Sequence, residues 1–74
     1  MNIPPPFSKI MTTYEADNNG KYLRVGQWFF NNYLRKMTWD HSRHHSIDTL
    51  YNSTDLEVIF NILNQLYQDY QWEM

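Results

Sequence analysis

Residues 54–72 decide the fold, and they read TDLEVIFNILNQLYQDYQW. Apolar side chains recur there every three or four positions, namely Leu56, Ile59, Phe60, Leu63, Leu66, Tyr67 and Tyr70. That spacing places them on one face of an α-helix, while the asparagines and glutamines fall on the opposite face. Thr54 and Glu57 are spaced as in a capping box and predict where the helix begins. The apolar face must pack against another element.

A second amphipathic helix is predicted over residues 21–37, with Asn19 as its N-cap. Its apolar residues share one half of the helix surface: Tyr22, Leu23, Val25, Gly26, Phe29, Phe30, Tyr33, Leu34 and Met37. Gly26 lies within that apolar half, although an interior glycine costs roughly 1 kcal/mol relative to alanine. We therefore expect another backbone or an aromatic ring to approach closely at Gly26.

The remaining segments predict less regular structure. Residues 47–51 are expected to form a short helical turn capped by Ser46. Residues 1–19 are expected to be a partly ordered, irregular arm, because they contain three consecutive prolines and an asparagine-rich turn. The predicted fold class is all-α: a small helical hairpin of residues 21–37 and 54–72, with a short third helical turn. Residues 20–74 form the predicted helical domain.

Length and composition limit the classes of protein to consider. The chain has 74 residues, which is the length of one small domain. It has no cysteine, so disulfides and thiolate metal sites are excluded. No apolar run approaches the roughly 18 residues of a transmembrane helix, and the first residues lack the apolar core of a signal peptide. These features predict a cytoplasmic protein that does not enter a membrane.

Charge is distributed unevenly along the chain, whose net charge is −2. Residues 18–43 contain five basic residues and one acidic residue, whereas residues 44–74 contain five acidic residues and no lysine or arginine. The simplest interpretation is that the two parts face and attract each other. A protein that binds polyanions would be expected to be basic overall.

Enzymatic and metal-binding motifs are weak in this sequence. There is no glycine-rich phosphate loop and no nucleophile elbow, and a small helical chain rarely encloses a pocket of a few hundred Å³. We therefore expect no enzymatic activity and no cofactor. His41 and His45, with Asp40 or Asp48, would resemble a zinc ligand set if the segment were helical. Its pattern does not predict a helix, so ordinary loop histidines and no metal site are expected.

Trp28 is the residue that the two-helix interpretation leaves unexplained. It projects on the polar side of the helix, together with Arg24, Asn31 and Arg35. Tryptophan and arginine are enriched at binding hot spots, so these four residues form the predicted contact face for a protein partner of unknown identity. Homo-oligomerisation is an equal alternative, because two amphipathic helices leave an open apolar face. In a purely structural alternative, residues 4–11 cover Trp28.

Nucleic-acid binding is the alternative function for the same face. Arginine and asparagine can contact base edges, and tryptophan can stack on a base. The negative net charge argues against it, because phosphate neutralisation supplies most non-specific affinity for nucleic acids. Protein binding is therefore the favoured function.

A short motif resembles that of known proteins. Residues 24–27, RVGQ, are followed by Asn31 and form the pattern R-x-G-Q-x-x-x-N. Asp48 and Tyr51 stand where similar chains have a D-P-F-Y turn. Together these features resemble a group of very small phage and prophage proteins of unknown function, over about residues 24–66. The resemblance implies a helical accessory protein that binds a host or phage protein, and we expect a non-catalytic modulator of a host factor.

Overall fold

Four α-helices build the fold in the computed structural model, which describes residues 3–18, 23–37 and 41–74. The helices are α1 (Ile10–Asn18), α2 (Val25–Phe29), α3 (His44–Asn52) and α4 (Leu56–Asp69). Turns of 3-10 helix, Phe7–Lys9 and His41–Arg43, precede α1 and α3, and a π-helical segment, Phe30–Leu34, continues α2. The all-α fold class is confirmed, with no strand in the described part. Asn19, residues 21–22 and Asp40 lie outside the described residues.

The N-cap of α4 lies one residue later than the capping box predicted. Asp55, not Thr54, is the N-cap, and its Oδ1 accepts a hydrogen bond from the backbone N–H of Glu57 over 3.0 Å. Ser53 supports this turn, because its Oγ accepts from the backbone N–H of Asp55 over 3.0 Å. The side chains of Ser53 and Asp55 therefore satisfy N–H groups that would otherwise lack partners at the start of the helix.

The end of α4 is a Schellman motif. The backbone N–H of Trp72 donates to the carbonyl of Tyr67 over 2.9 Å, and that of Gln71 donates to the carbonyl of Gln68 over 3.3 Å. Gln71 has a φ of 57°, the left-handed conformation that glycine usually supplies at this position. The reversal brings the Trp72 ring back onto Tyr67, with 5.3 Å between ring centroids. The helix predicted to reach residue 72 thus ends at Asp69.

The third helical element is longer than the predicted turn. α3 begins at His44, so Ser46 lies inside its first turn and is not the cap. It packs against both α2 and α4. A Cβ atom at Gly26 would overlap the backbone carbonyl oxygen of Leu50 in α3, which confirms the expected close approach of a second backbone. The partner is α3, and not the C-terminal helix with which a hairpin was expected.

The N-terminal segment departs from the predicted irregular arm, because residues 10–18 are the helix α1. Ile10 of α1 is fully buried, and α1 packs against α2. The Tyr14 hydroxyl donates a hydrogen bond to the carbonyl of Leu23, which holds the extended entrance to α2 against α1. α1 therefore contributes to the folded core.

One hydrophobic core joins all four helices. Its buried apolar residues are Ile10, Val25, Trp28, Phe29, Leu34, Ile47, Leu50, Ile59, Leu63, Leu66 and Tyr67. The stripe predicted for residues 54–72 supplies four of them, whereas Leu56 at its start is 52% exposed. Among the described residues, no helix has the length and apolar character needed to cross a bilayer.

Candidate binding surfaces

Trp28 lies in the core and not on the surface. Its side chain is 2% exposed, so the expectation of an exposed tryptophan is wrong. The other three residues of the predicted contact face, Arg24, Asn31 and Arg35, are exposed. Their role in partner binding stays a prediction. The nucleic-acid alternative loses its stacking residue, because a buried indole cannot stack on a base.

The cover over Trp28 comes from α1. The indole Nε1 donates to Oδ2 of Asp17 over 2.7 Å, and the Tyr14 ring meets the indole edge-on with 5.5 Å between centroids. Tyr33 packs edge-on against the same indole, at 5.6 Å. The structural alternative expected residues 4–11 to cover Trp28; the cover comes instead from Tyr14 and Asp17, which lie later in the N-terminal segment.

The π-helical segment after α2 gives the helix an unusual local geometry. The backbone N–H of Arg35 donates to the carbonyl of Phe30 over 2.8 Å, five residues earlier in the chain. The Asn32 side-chain amide donates to the carbonyl of Trp28 over 2.8 Å, so the wider turn leaves that acceptor satisfied. Single π-helical turns occur frequently at functional sites. This turn borders the groove described next.

An open apolar groove lies between the π-helical segment and α3. We call it the α3 groove; its lining residues are Phe30, His44, His45, Ile47, Asp48 and Tyr51, and its volume is about 590 Å³. Phe30 and Tyr51 are half-buried and meet edge-on, with 5.3 Å between ring centroids. The volume exceeds what we expected of so short a chain, but the groove is open to solvent along its length.

Polar residues lie along the exposed side of the α3 groove. His44, His45 and Asp48 are exposed. The rings of His41 and His44 are in contact, with 4.9 Å between centroids. Within the described ranges, no three histidine, aspartate or glutamate side chains converge on a point where a metal ion would fit. The groove therefore offers an apolar surface with a polar border.

A second, more polar cleft lies between the start of α3 and the exposed side of α4. It has a volume of about 400 Å³. Arg43 and Asp69 form a salt bridge there, and the Arg43 guanidinium also lies over the Tyr70 ring at 5.1 Å. The hydrogen bond from Arg43, helped by one from Gln65, holds the pKa of Asp69 below its usual value. The salt bridge is one contact between the basic and acidic parts of the chain.

Sequence reasoning identified the residues of the α3 groove without recognising that they form a groove. The sequence pattern places Phe30 in the apolar half of its helix and Tyr51 in the short helical turn of residues 47–51. His45 and Asp48 belonged to the hypothetical zinc ligand set. Phe30 and Tyr51 are far apart in the chain, and no local pattern indicates that the π-helical turn brings them together. The only available signal was the D-x-x-Y spacing of Asp48 and Tyr51.

Comparisons with known proteins found no relative of this chain. No family model, no curated protein and no solved structure matches the chain.

Proposed function

We propose that this chain is a non-catalytic protein-binding protein that acts in the cytoplasm, and that the α3 groove is its contact surface. The observation that carries the proposal is an apolar groove of about 590 Å³ with aromatic side chains at its surface. This surface replaces the face predicted around Trp28, because the indole of Trp28 is part of the core.

The residue types in the α3 groove support protein binding. Tyrosine and phenylalanine are enriched at protein interfaces, where an apolar centre is surrounded by a polar border. Phe30, Ile47 and Tyr51 supply such a centre, and His44, His45 and Asp48 supply the border. A partner helix or extended segment that packs apolar side chains over Phe30 and Tyr51 would remove both rings from water.

The kind of partner is suggested by the resemblance to small phage and prophage proteins. Accessory proteins of mobile elements often act by binding a host protein. We extend the proposal on that basis: the chain modulates a host factor by occupying one of its surfaces. Homo-oligomerisation through the α3 groove is the competing form of the same proposal.

The test is site-specific photo-crosslinking in cells that express the chain. A photoreactive phenylalanine analogue at His45 should form one defined protein adduct, whereas the analogue at the exposed Glu15 of α1 should not. Asp48→Arg should abolish the His45 adduct. Glu15→Arg is the matched control, since it makes the same charge change on another helix and should leave the adduct intact.

Each outcome has a defined meaning. Equal labelling from positions 15 and 45, or no adduct from position 45, would refute the α3 groove as the contact surface. An adduct with a second copy of the chain, identified by its mass, would assign the groove to self-association. Salt-sensitive gel shifts with mixed-sequence DNA or RNA would support the nucleic-acid alternative instead.

A further inference from the structure

Residues 3–9 form a strap in which Pro6 has an extended, polyproline II-like backbone and the 3-10 turn Phe7–Lys9 follows it. Pro6 has φ −51° and ψ 144°, values close to that conformation, and two further prolines precede it. Pro4 is buried. The carbonyl oxygen of Pro5 accepts a hydrogen bond from the Tyr67 hydroxyl over 2.6 Å. Burial raises the pKa of Tyr67, so this hydroxyl remains a donor over the physiological range.

An aromatic residue follows the prolines and anchors the strap. The Phe7 ring lies against Phe60 and Tyr67, with centroid distances of 6.0 Å and 5.2 Å. Two backbone hydrogen bonds fix the direction of the chain: Phe7 N–H donates to the carbonyl of Glu73 over 2.9 Å, and Ser8 N–H donates to that of Met74 over 3.2 Å. We call the receiving surface, Phe60, Tyr67 and residues 73–74, the cradle.

The contacts in the cradle are those by which aromatic surfaces recognise proline-rich peptides. Proline carbonyls are exposed acceptors, and a polyproline II segment loses little entropy on binding because its backbone is already restricted. Here an aromatic hydroxyl binds a proline carbonyl, aromatic rings pack on the following phenylalanine, and backbone carbonyls pair with the next two N–H groups. The cradle thus holds the chain's own strap by a hydroxyl, aromatic rings and backbone carbonyls.

We propose that the cradle also binds the strap of a second copy when its own strap is displaced, so that two copies exchange straps. The occupant is defined by what already lies in the cradle: a Pro-Pro-Pro segment followed by phenylalanine. Covalent attachment gives the chain's own strap a high effective concentration, so the site is filled in cis first. This proposal does not depend on the α3 groove, whose lining shares no residue with the cradle.

Peptide complementation tests the site. Phe7→Ala should loosen the strap and lower Tm by about 5–10 °C. A peptide with the sequence of residues 3–9, IPPPFSK, added in millimolar excess should restore at least half of that loss. The same peptide with alanine in place of phenylalanine is the matched control and should restore none. In the Phe7→Ala chain, adding Tyr67→Phe should weaken the peptide's effect several-fold.

Two results would overturn the proposal. One is an unchanged Tm of Phe7→Ala in the presence of IPPPFSK; the other is equal recovery with the control peptide. If Phe7→Ala does not fold, the readout becomes the gain of helical circular dichroism on adding each peptide, and no gain with IPPPFSK is the negative result.

A separate measurement tests whether the strap of a second copy binds in the cradle. Wild-type chain refolded at high concentration should give a dimer by sedimentation, and excess IPPPFSK should reduce its fraction. If the peptide rescues Phe7→Ala but the wild type stays monomeric after refolding, a second copy is the wrong occupant, and the cradle would instead accept a proline-rich segment of another protein.

Discussion

The indole Nε1 of Trp28 donates a hydrogen bond to Oδ2 of Asp17 over 2.7 Å, and this bond joins α1 to α2. Tyr14, one turn before Asp17, packs edge-on against the same indole. Two residues of α1 therefore cover a side chain that a helical projection of residues 21–37 alone places in water. The first prediction tests this relationship.

Trp28→Ala should lower the free energy of unfolding by about 3–5 kcal/mol, because it removes a fully buried aromatic ring and leaves a cavity. Chemical denaturation followed by circular dichroism measures the change. Asn31→Ala, an exposed position one turn later, is the control and should change stability by less than about 0.5 kcal/mol. Equal, small effects of the two substitutions would contradict the buried position of Trp28.

Gly26→Ala should destabilise the fold by about 1–3 kcal/mol, although alanine is the better helix former. The added methyl group would overlap the Leu50 carbonyl, which is backbone and cannot rotate away. The midpoint of urea unfolding measures the effect, with Gln68→Ala on the exposed side of α4 as a control. A gain in stability for Gly26→Ala would mean that α2 and α3 are farther apart than the structure shows.

Gln71→Gly should stabilise the fold by about 0.5–1 kcal/mol. The residue has a left-handed φ of 57°, which costs a side-chain-bearing residue roughly 1–2 kcal/mol, and glycine adopts it without that cost. Part of the gain is offset by the greater freedom of glycine in the unfolded chain. Thermal unfolding should show a higher Tm for Gln71→Gly and a lower Tm for Gln71→Val; the reverse order would exclude the left-handed cap.

Asp69 should make stability depend on pH in the acidic range. Its pKa is lower in the folded chain than in the unfolded chain, chiefly because of the hydrogen bond from Arg43, so folding favours the carboxylate. The stabilisation is present above the unfolded-state pKa and is lost as pH falls through the folded-state pKa. Tm of the wild type should exceed that of Asp69→Asn at pH 7, and the two should converge near pH 2; a constant difference would rule out this linkage.

The sequence pattern predicted the elements whose apolar periodicity is long and uninterrupted. Ile59, Leu63, Leu66 and Tyr67 of the predicted stripe are buried, and the glycine within an apolar face correctly indicated a close backbone contact. α1 was missed because its apolar side chains are few and its neighbours include turn-forming residues. The prediction that Trp28 is exposed was wrong for a related reason. Residues of α1 cover the indole, and the periodicity of the helix that contains Trp28 gives no information about α1.

The α3 groove could not be predicted, because it depends on how two elements meet. Ile47 and Tyr51 lie on one face of α3, which the sequence indicates for a short turn. The position of Phe30 depends on the π-helical turn and on the separation of α2 from α3 set at Gly26. Neither quantity is encoded in a local pattern of residue types.

The π-helical turn has a consequence for sequence alignment. A π turn contains one residue more than an α turn, so side chains near the end of the turn are rotated relative to their positions in an uninterrupted α-helix. A chain one residue shorter in this segment could continue as an ordinary α-helix with the same core on both sides. An ungapped alignment of the two would equate inward-facing positions with outward-facing ones after the turn. Searches for relatives of this chain should therefore allow a single-residue gap between residues 30 and 34.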